Sequence, residues 1–206
     1  MHAKGLTTMF YKVMKVFVTL YYRVRHKITV IGENNIPKEG PVLLAANHKS
    51  LHDPPAIGIS VKREMSFFAK SELFKNKLFG AAIRNLNAIP VNRGKGDRAA
   101  LKTSIEALKE GRMLLMFPEG TRNKDRNDEL RPLQEGASFI AMSAKAPIVP
   151  VAVRGNYDDK KGVTIIFGQP IYTDELRKDG LKRKDITKIL ENNLNNLLNG
   201  PLHLDK

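Results

Sequence analysis

The stretch Asn47–Pro55 reads NHKSLHDPP and sets two histidines, a serine and an aspartate close together. Four chemistries compete for it. His48 and His52 have the i, i+4 spacing of two zinc ligands on one helix face, but HKSLH lacks the glutamate of H-E-x-x-H. Pro54 and Pro55 also put a helix start after the histidines rather than around them. The other histidines are His2, His26 and His203, and the chain has no cysteine, so no metal is expected. A serine nucleophile is disfavoured because the chain holds no G-x-S-x-G elbow. A third reading pairs His48 as general base with Asp53, which would fix the imidazole tautomer and stabilise the imidazolium. Such a pair lacks its own nucleophile, so the substrate must bring the hydroxyl. The fourth is an ordinary turn, in which His and Asp satisfy backbone groups.

The elements around this stretch favour a site. Val42–Ala46 is a continuous apolar run, expected to be a strand buried on both faces, and NHKSLHDPP follows at its carboxyl end. Further strands are expected at Lys27–Ile31, Met65–Ala69, Asn87–Val91, Met113–Phe117, Ile148–Val153 and Val163–Phe167. Helices are expected at Ala56–Val61, Leu73–Leu86, from an Asp97 cap to Lys109, at Glu135–Lys145 and at Lys182–Leu198. The alternation predicts an α/β domain with a central, largely parallel or mixed sheet flanked by helices. Ligands of open α/β sheets lie beyond the carboxyl ends of the strands. Three polar clusters occupy such ends: NHKSLHD, Lys70 after Phe67-Phe68-Ala69, and Glu119-Gly120-Thr121-Arg122 after MLLMFP. They are expected to converge.

The net charge of +14 favours anionic partners: nucleic acid, anionic lipid or phosphorylated substrates. With no Trp and 7% aromatic residues, a base-stacking platform is not expected, and nucleic acid is set aside. Residues 1–30 hold six Lys or Arg and no acid. Apolar residues from Leu6 to Val24 recur at helical spacing, without an apolar run of spanning length. Residues 1–26 are therefore expected to be a basic amphipathic helix on the membrane interface, the alternative being a helix packed on the core. Residues 27–206 would form the α/β domain.

Several blocks in order carry a resemblance. Asn47-His48-x4-Asp53, Phe67-Phe68-Ala69-Lys70, Ile89-Pro90-Val91-Asn92-Arg93, Phe117-Pro118-Glu119-Gly120-Thr121-Arg122 and Ile148-Val149-Pro150-Val151-Ala152-Val153 together resemble the H-x4-D glycerolipid acyltransferases, specifically those acting on 1-acylglycerol 3-phosphate. The likeness runs from about Lys27 to Pro170. It implies transfer of a fatty acyl group from acyl-CoA or acyl-carrier protein to lysophosphatidic acid, giving phosphatidic acid, with no further cofactor. It implies His48 as base, Asp53 as its orienting partner and Asn47 in support. It also implies that Lys70, Arg93, Glu119, Gly120, Thr121 and Arg122 hold the acceptor phosphate. One departure is Leu133-Gln134-Glu135-Gly136, where many members carry a basic residue before the glycine. The expected location is the cytoplasmic face of the membrane, peripheral or monotopic, on anionic lipid. Glycerol 3-phosphate or another lysophospholipid is the alternative acceptor. A non-catalytic basic protein binding membrane or nucleic acid is the more distant reading.

Overall fold

The computed structural model describes residues 2–92, 97–123 and 128–201. Along these residues run α1 (His2–Arg25), β1 (Ile28–Ile31), β2 (Val42–Ala46), α2 (Asp53–Ser60), β3 (Met65–Lys70), α3 (Lys77–Asn85), β4 (Ala88–Val91), α4 (Arg98–Lys109), β5 (Met113–Met116), α5 (Gly136–Ala144), β6 (Ile148–Gly155), β7 (Val163–Phe167), α6 (Thr173–Lys178) and α7 (Arg183–Asn199).

β2 organises the fold. All five of its residues are buried, as a strand covered on both faces requires. Side chains alternate along it. Val42, Leu44 and Ala46 join one core cluster with Ala56, Ile57 and Val61 around α2. Leu43 and Ala45 join the other, with Ile140 of α5 and Ile186, Leu190 and Leu194 of α7. The sheet order is β1-β7-β6-β2-β5-β3-β4. Only the β6–β7 pair is antiparallel, so the sheet is mixed, as expected. β2, β5 and β3 run in the same direction, so their polar carboxyl ends meet along one edge.

α1 is docked along one side. The Met65 backbone N–H donates to the Tyr11 hydroxyl at 3.1 Å, Lys15 Nζ donates to the Val61 carbonyl, and Tyr22 is buried in the core. The face turned away leaves Met9, Val13, Val16, Phe17, Leu20, Tyr21 and Val24 exposed.

Two elements differ from expectation. The single helix expected over Leu73–Leu86 is split into a 3-10 turn, Ser71–Phe74, and α3. Asn76 starts the second piece, its side chain accepting from the Phe79 N–H at 3.0 Å. Gly80 lies so close to the Phe74 backbone that a Cβ would meet its carbonyl at 2.8 Å. The short α6 has too little apolar periodicity to announce itself.

Candidate active site

Where β2 ends, the chain must leave the sheet without stranding its polar groups. Asn47 solves this with its side chain. Its amide accepts from the Val153 N–H at 2.7 Å and donates to the Val153 carbonyl at 3.1 Å. It thus continues the β2–β6 ladder for one more step and fixes the direction in which His48 departs.

The loop then folds back on Asp53, the first residue of α2. Pro54 and Pro55 occupy its first turn, where a missing N–H costs little. Asp53 is fully buried. Its Oδ2 accepts from His48 Nδ1 at 2.8 Å, from the Lys49 N–H at 2.8 Å and from the Ser50 N–H at 2.7 Å. Its Oδ1 accepts from the Tyr157 hydroxyl at 3.0 Å. Both oxygens of this buried side chain are thus supplied with donors. With Nδ1 facing Asp53, Nε2 is the nitrogen left for proton transfer. The ring of Phe117 stacks on His48, centroids 3.9 Å apart and planes 21° from parallel.

The loop after β5 comes to the same edge. Phe117–Gly120 forms a turn closed by the Gly120 N–H on the Phe117 carbonyl at 3.0 Å, with Pro118 at its favoured position. Glu119 is engaged by the backbone. It is buried, its Oε1 accepting from the His48 N–H at 2.6 Å and its Oε2 from the Arg131 N–H at 3.2 Å. It joins the loop of His48 to the loop after β5, with both carboxylate oxygens occupied by backbone donors. Burial pushes its pKa up, and the two N–H donors and Arg131 pull against that. Gly120 has φ +71°, and its own N–H is occupied in the turn rather than open to an anion. Gln134, at the position of the departure noted above, lies over it: a Cβ there would meet Gln134 Nε2 at 2.4 Å.

Thr121 is exposed and Arg122 half-buried beyond the turn, and Lys70 is exposed at the end of β3. Lys70 ends β3 and Arg122 follows β5, so both belong to the sheet edge at which β2 leads into His48. Arg93 lies outside the described residues. His52 takes no part in the base pair; its Nδ1 shares a hydrogen bond with the Tyr22 hydroxyl at 2.9 Å. Among the described residues no cluster of three or more His, Cys, Asp or Glu could hold a metal.

Two contributors escaped the sequence reading. Lys49 is buried and pairs with Asp128, fastening the far end of the loop after β5 beside His48. Tyr157 follows β6 and reaches Asp53. Each partner is more than seventy residues away in sequence, so no local spacing could reveal it.

The profile of a family described as Acyltransferase matches residues 27–154. The 1-acyl-sn-glycerol-3-phosphate acyltransferase of Bacillus subtilis is 33% identical over 165 residues, which span 77% of this chain and 79% of that one. The Streptococcus pneumoniae protein of the same name is 32% identical over 179 residues, 82% of this chain and 66% of that one. The crystal structure of the 1-acyl-sn-glycerophosphate (LPA) acyltransferase PlsC from Thermotoga maritima superposes with a TM-score of 0.75 at 26% identity, covering 95% of this chain and 82% of that one.

Proposed function

Because this chain belongs to the acyltransferase family, we propose that it acylates the free hydroxyl of 1-acylglycerol 3-phosphate from an acyl thioester, giving phosphatidic acid. The observation that carries the mechanism is the 2.8 Å bond between His48 Nδ1 and a buried Asp53, set beside the Glu119–Arg122 turn. His48 Nε2 takes the proton of the acceptor hydroxyl as its oxygen attacks the thioester carbonyl. Asp53 stabilises the imidazolium. The tetrahedral intermediate collapses, the C–S bond breaks, and the proton passes from His48 to the leaving thiolate. The thioester is already activated, so neither a covalent enzyme intermediate nor a cofactor is required, whether the donor is acyl-CoA or acyl-carrier protein.

Arg122 and Lys70, with Arg93, hold the acceptor phosphate. The guanidinium fork suits phosphate oxygens. Thr121 adds an exposed hydroxyl beside Arg122. An apolar cleft of about 140 Å³ under α1, lined by Tyr11, Met14, Val18, Ile59, Met65 and Phe67, offers room for part of an acyl chain.

Both substrates are amphiphiles, and the exposed face of α1 suits a membrane surface. Seven large apolar side chains lie along it, with Lys12 and Arg23 on one flank and Arg25 on the other. Among the described residues no helix is long and apolar enough to cross a membrane. We propose that the protein works as a peripheral or monotopic enzyme on the anionic, cytoplasmic leaflet, a reading supported by the apolar face of α1 and the cations beside it.

The test is thiol release with lysophosphatidic acid as acceptor, with acyl-CoA and acyl-carrier protein donors of several chain lengths. Glycerol 3-phosphate and other lysophospholipids serve as competing acceptors. Turnover is expected with lysophosphatidic acid above the others. His48→Ala should lower it by roughly 100- to 10,000-fold with the circular dichroism spectrum retained. A variant that turns over like the parent ends the general-base assignment. Arg122→Ala should raise KM for the acceptor more than for the donor, and equal changes would remove its phosphate role.

A further inference from the structure

We propose that Tyr157 is a positioning residue of the His48–Asp53 pair, its hydroxyl setting both the plane of the carboxylate and its hold on the histidine ring. This rests on the general-base reading above and deepens it.

The three donors on Asp53 Oδ2 come from His48, Lys49 and Ser50, all within one short loop. They anchor a single oxygen, about which the carboxylate could still pivot. The Tyr157 hydroxyl holds the other oxygen at 3.0 Å from a different part of the chain, the turn after β6. Two anchored oxygens on two separate elements fix the carboxylate plane, and with it the direction of the bond to His48 Nδ1.

Tyr157 is itself held. Its ring is buried and packs against His52, centroids 5.1 Å apart. His26, between α1 and β1, donates from Nδ1 to the Tyr157 carbonyl at 3.0 Å and meets the ring edge-on at 5.6 Å. Packing alone would be served by phenylalanine; the hydroxyl needs a partner once buried, and Asp53 is that partner. Burial first, then the Asp53 charge, push the Tyr157 pKa far above the ordinary phenol range. It therefore remains a donor. The other titratable groups facing Asp53 are His48 from its own loop, Tyr22 from α1 and Glu119 from the loop after β5, while His52 and His26 pack on the Tyr157 ring. The Tyr22 hydroxyl is hydrogen-bonded to His52 instead, and the Glu119 oxygens accept from the His48 and Arg131 N–H groups, so neither replaces Tyr157.

Tyr157→Phe keeps the ring and removes the donor. In the thiol-release assay kcat should fall roughly tenfold, with acceptor KM within about twofold of the parent. The acidic limb of the kcat/KM profile should move to higher pH, because an Asp53 relieved of one donor draws the imidazolium form of His48 more strongly. Site-specific 3-fluorotyrosine at position 157, a stronger donor, should move that limb to lower pH. A merely structural residue would not give shifts of opposite sign. His48→Ala is assayed alongside. If it is inactive while Tyr157→Phe matches the parent in kcat and limb, the role of Tyr157 is overturned and the base pair stands. If His48→Ala retains full activity, the base pair itself falls and this proposal with it. Should Tyr157→Phe fail to fold, the fluorotyrosine protein decides, an unmoved limb overturning the proposal.

Discussion

A buried carboxylate survives when each of its oxygens has a donor, and Asp53 and Glu119 both meet that condition by different means. Asp53→Asn preserves volume but turns one oxygen into a donor facing donors, and removes the charge that stabilises the imidazolium. Turnover should fall by roughly two orders of magnitude or more, and urea denaturation should show a loss of about 1–3 kcal/mol. Glu119→Gln touches no substrate in our assignment, so it should cost a similar amount of stability with a smaller effect on kcat. A loss of activity without a loss of stability would return Glu119 to the substrate. The raised pKa of Glu119 gives a further sign to check. An acid with its folded pKa above its unfolded value contributes stability fully present below the unfolded pKa, lost as pH rises through the folded one. The stability difference between parent and Glu119→Gln should therefore decline with rising pH across the carboxylate range and flatten above it.

At the scale of elements, the turn after β5 and the helix α1 carry separate tests. Gly120 has φ +71°, a conformation that costs an L-residue about 1–2 kcal/mol, and its missing Cβ makes room for the Gln134 amide. Gly120→Ala should lower the thermal midpoint. Adding Gln134→Ala should relieve the crowding but leave the backbone cost, so recovery should be partial; full recovery would assign the whole effect to sterics. On α1, Phe17 and Leu20 are 63% and 54% exposed, so replacing both with Ser should leave the fold and its thermal midpoint nearly unchanged. The same change should weaken sedimentation with vesicles containing anionic phospholipid. Unchanged sedimentation would direct attention away from this face.

Over the whole molecule the net charge of +14 would give the proposed association with anionic vesicles an electrostatic part. Binding should weaken as salt rises past physiological strength, where the Debye length is about 8 Å, and the apolar face of α1 should leave a salt-resistant remainder. Much of this architecture was legible beforehand. The apolar runs gave the seven strands to within a residue or two, most plainly at β2, where a strand buried on both faces has no other composition available. His48 and Asp53 could be paired because they are five residues apart and the prolines between Asp53 and the helix body mark its start. The split ahead of α3 was not legible, since Asn76 interrupts an apolar pattern that otherwise continues.

Sequence by itself determined the α/β alternation, the hydrogen-bonded pairing of His48 with Asp53 and the basic, apolar character of the first helix, for these depend on neighbours within a few residues. It also placed the polar clusters at strand ends, which the common direction of β2, β3 and β5 turned into one edge. Only the tertiary structure decided what each polar group does there. It put Glu119 behind His48, brought Lys49 to Asp128 and set Tyr157 on Asp53. The reason is physical: a buried polar group must find a partner wherever the fold supplies one, and that partner's position in the chain is fixed by strand order, which local spacing does not encode.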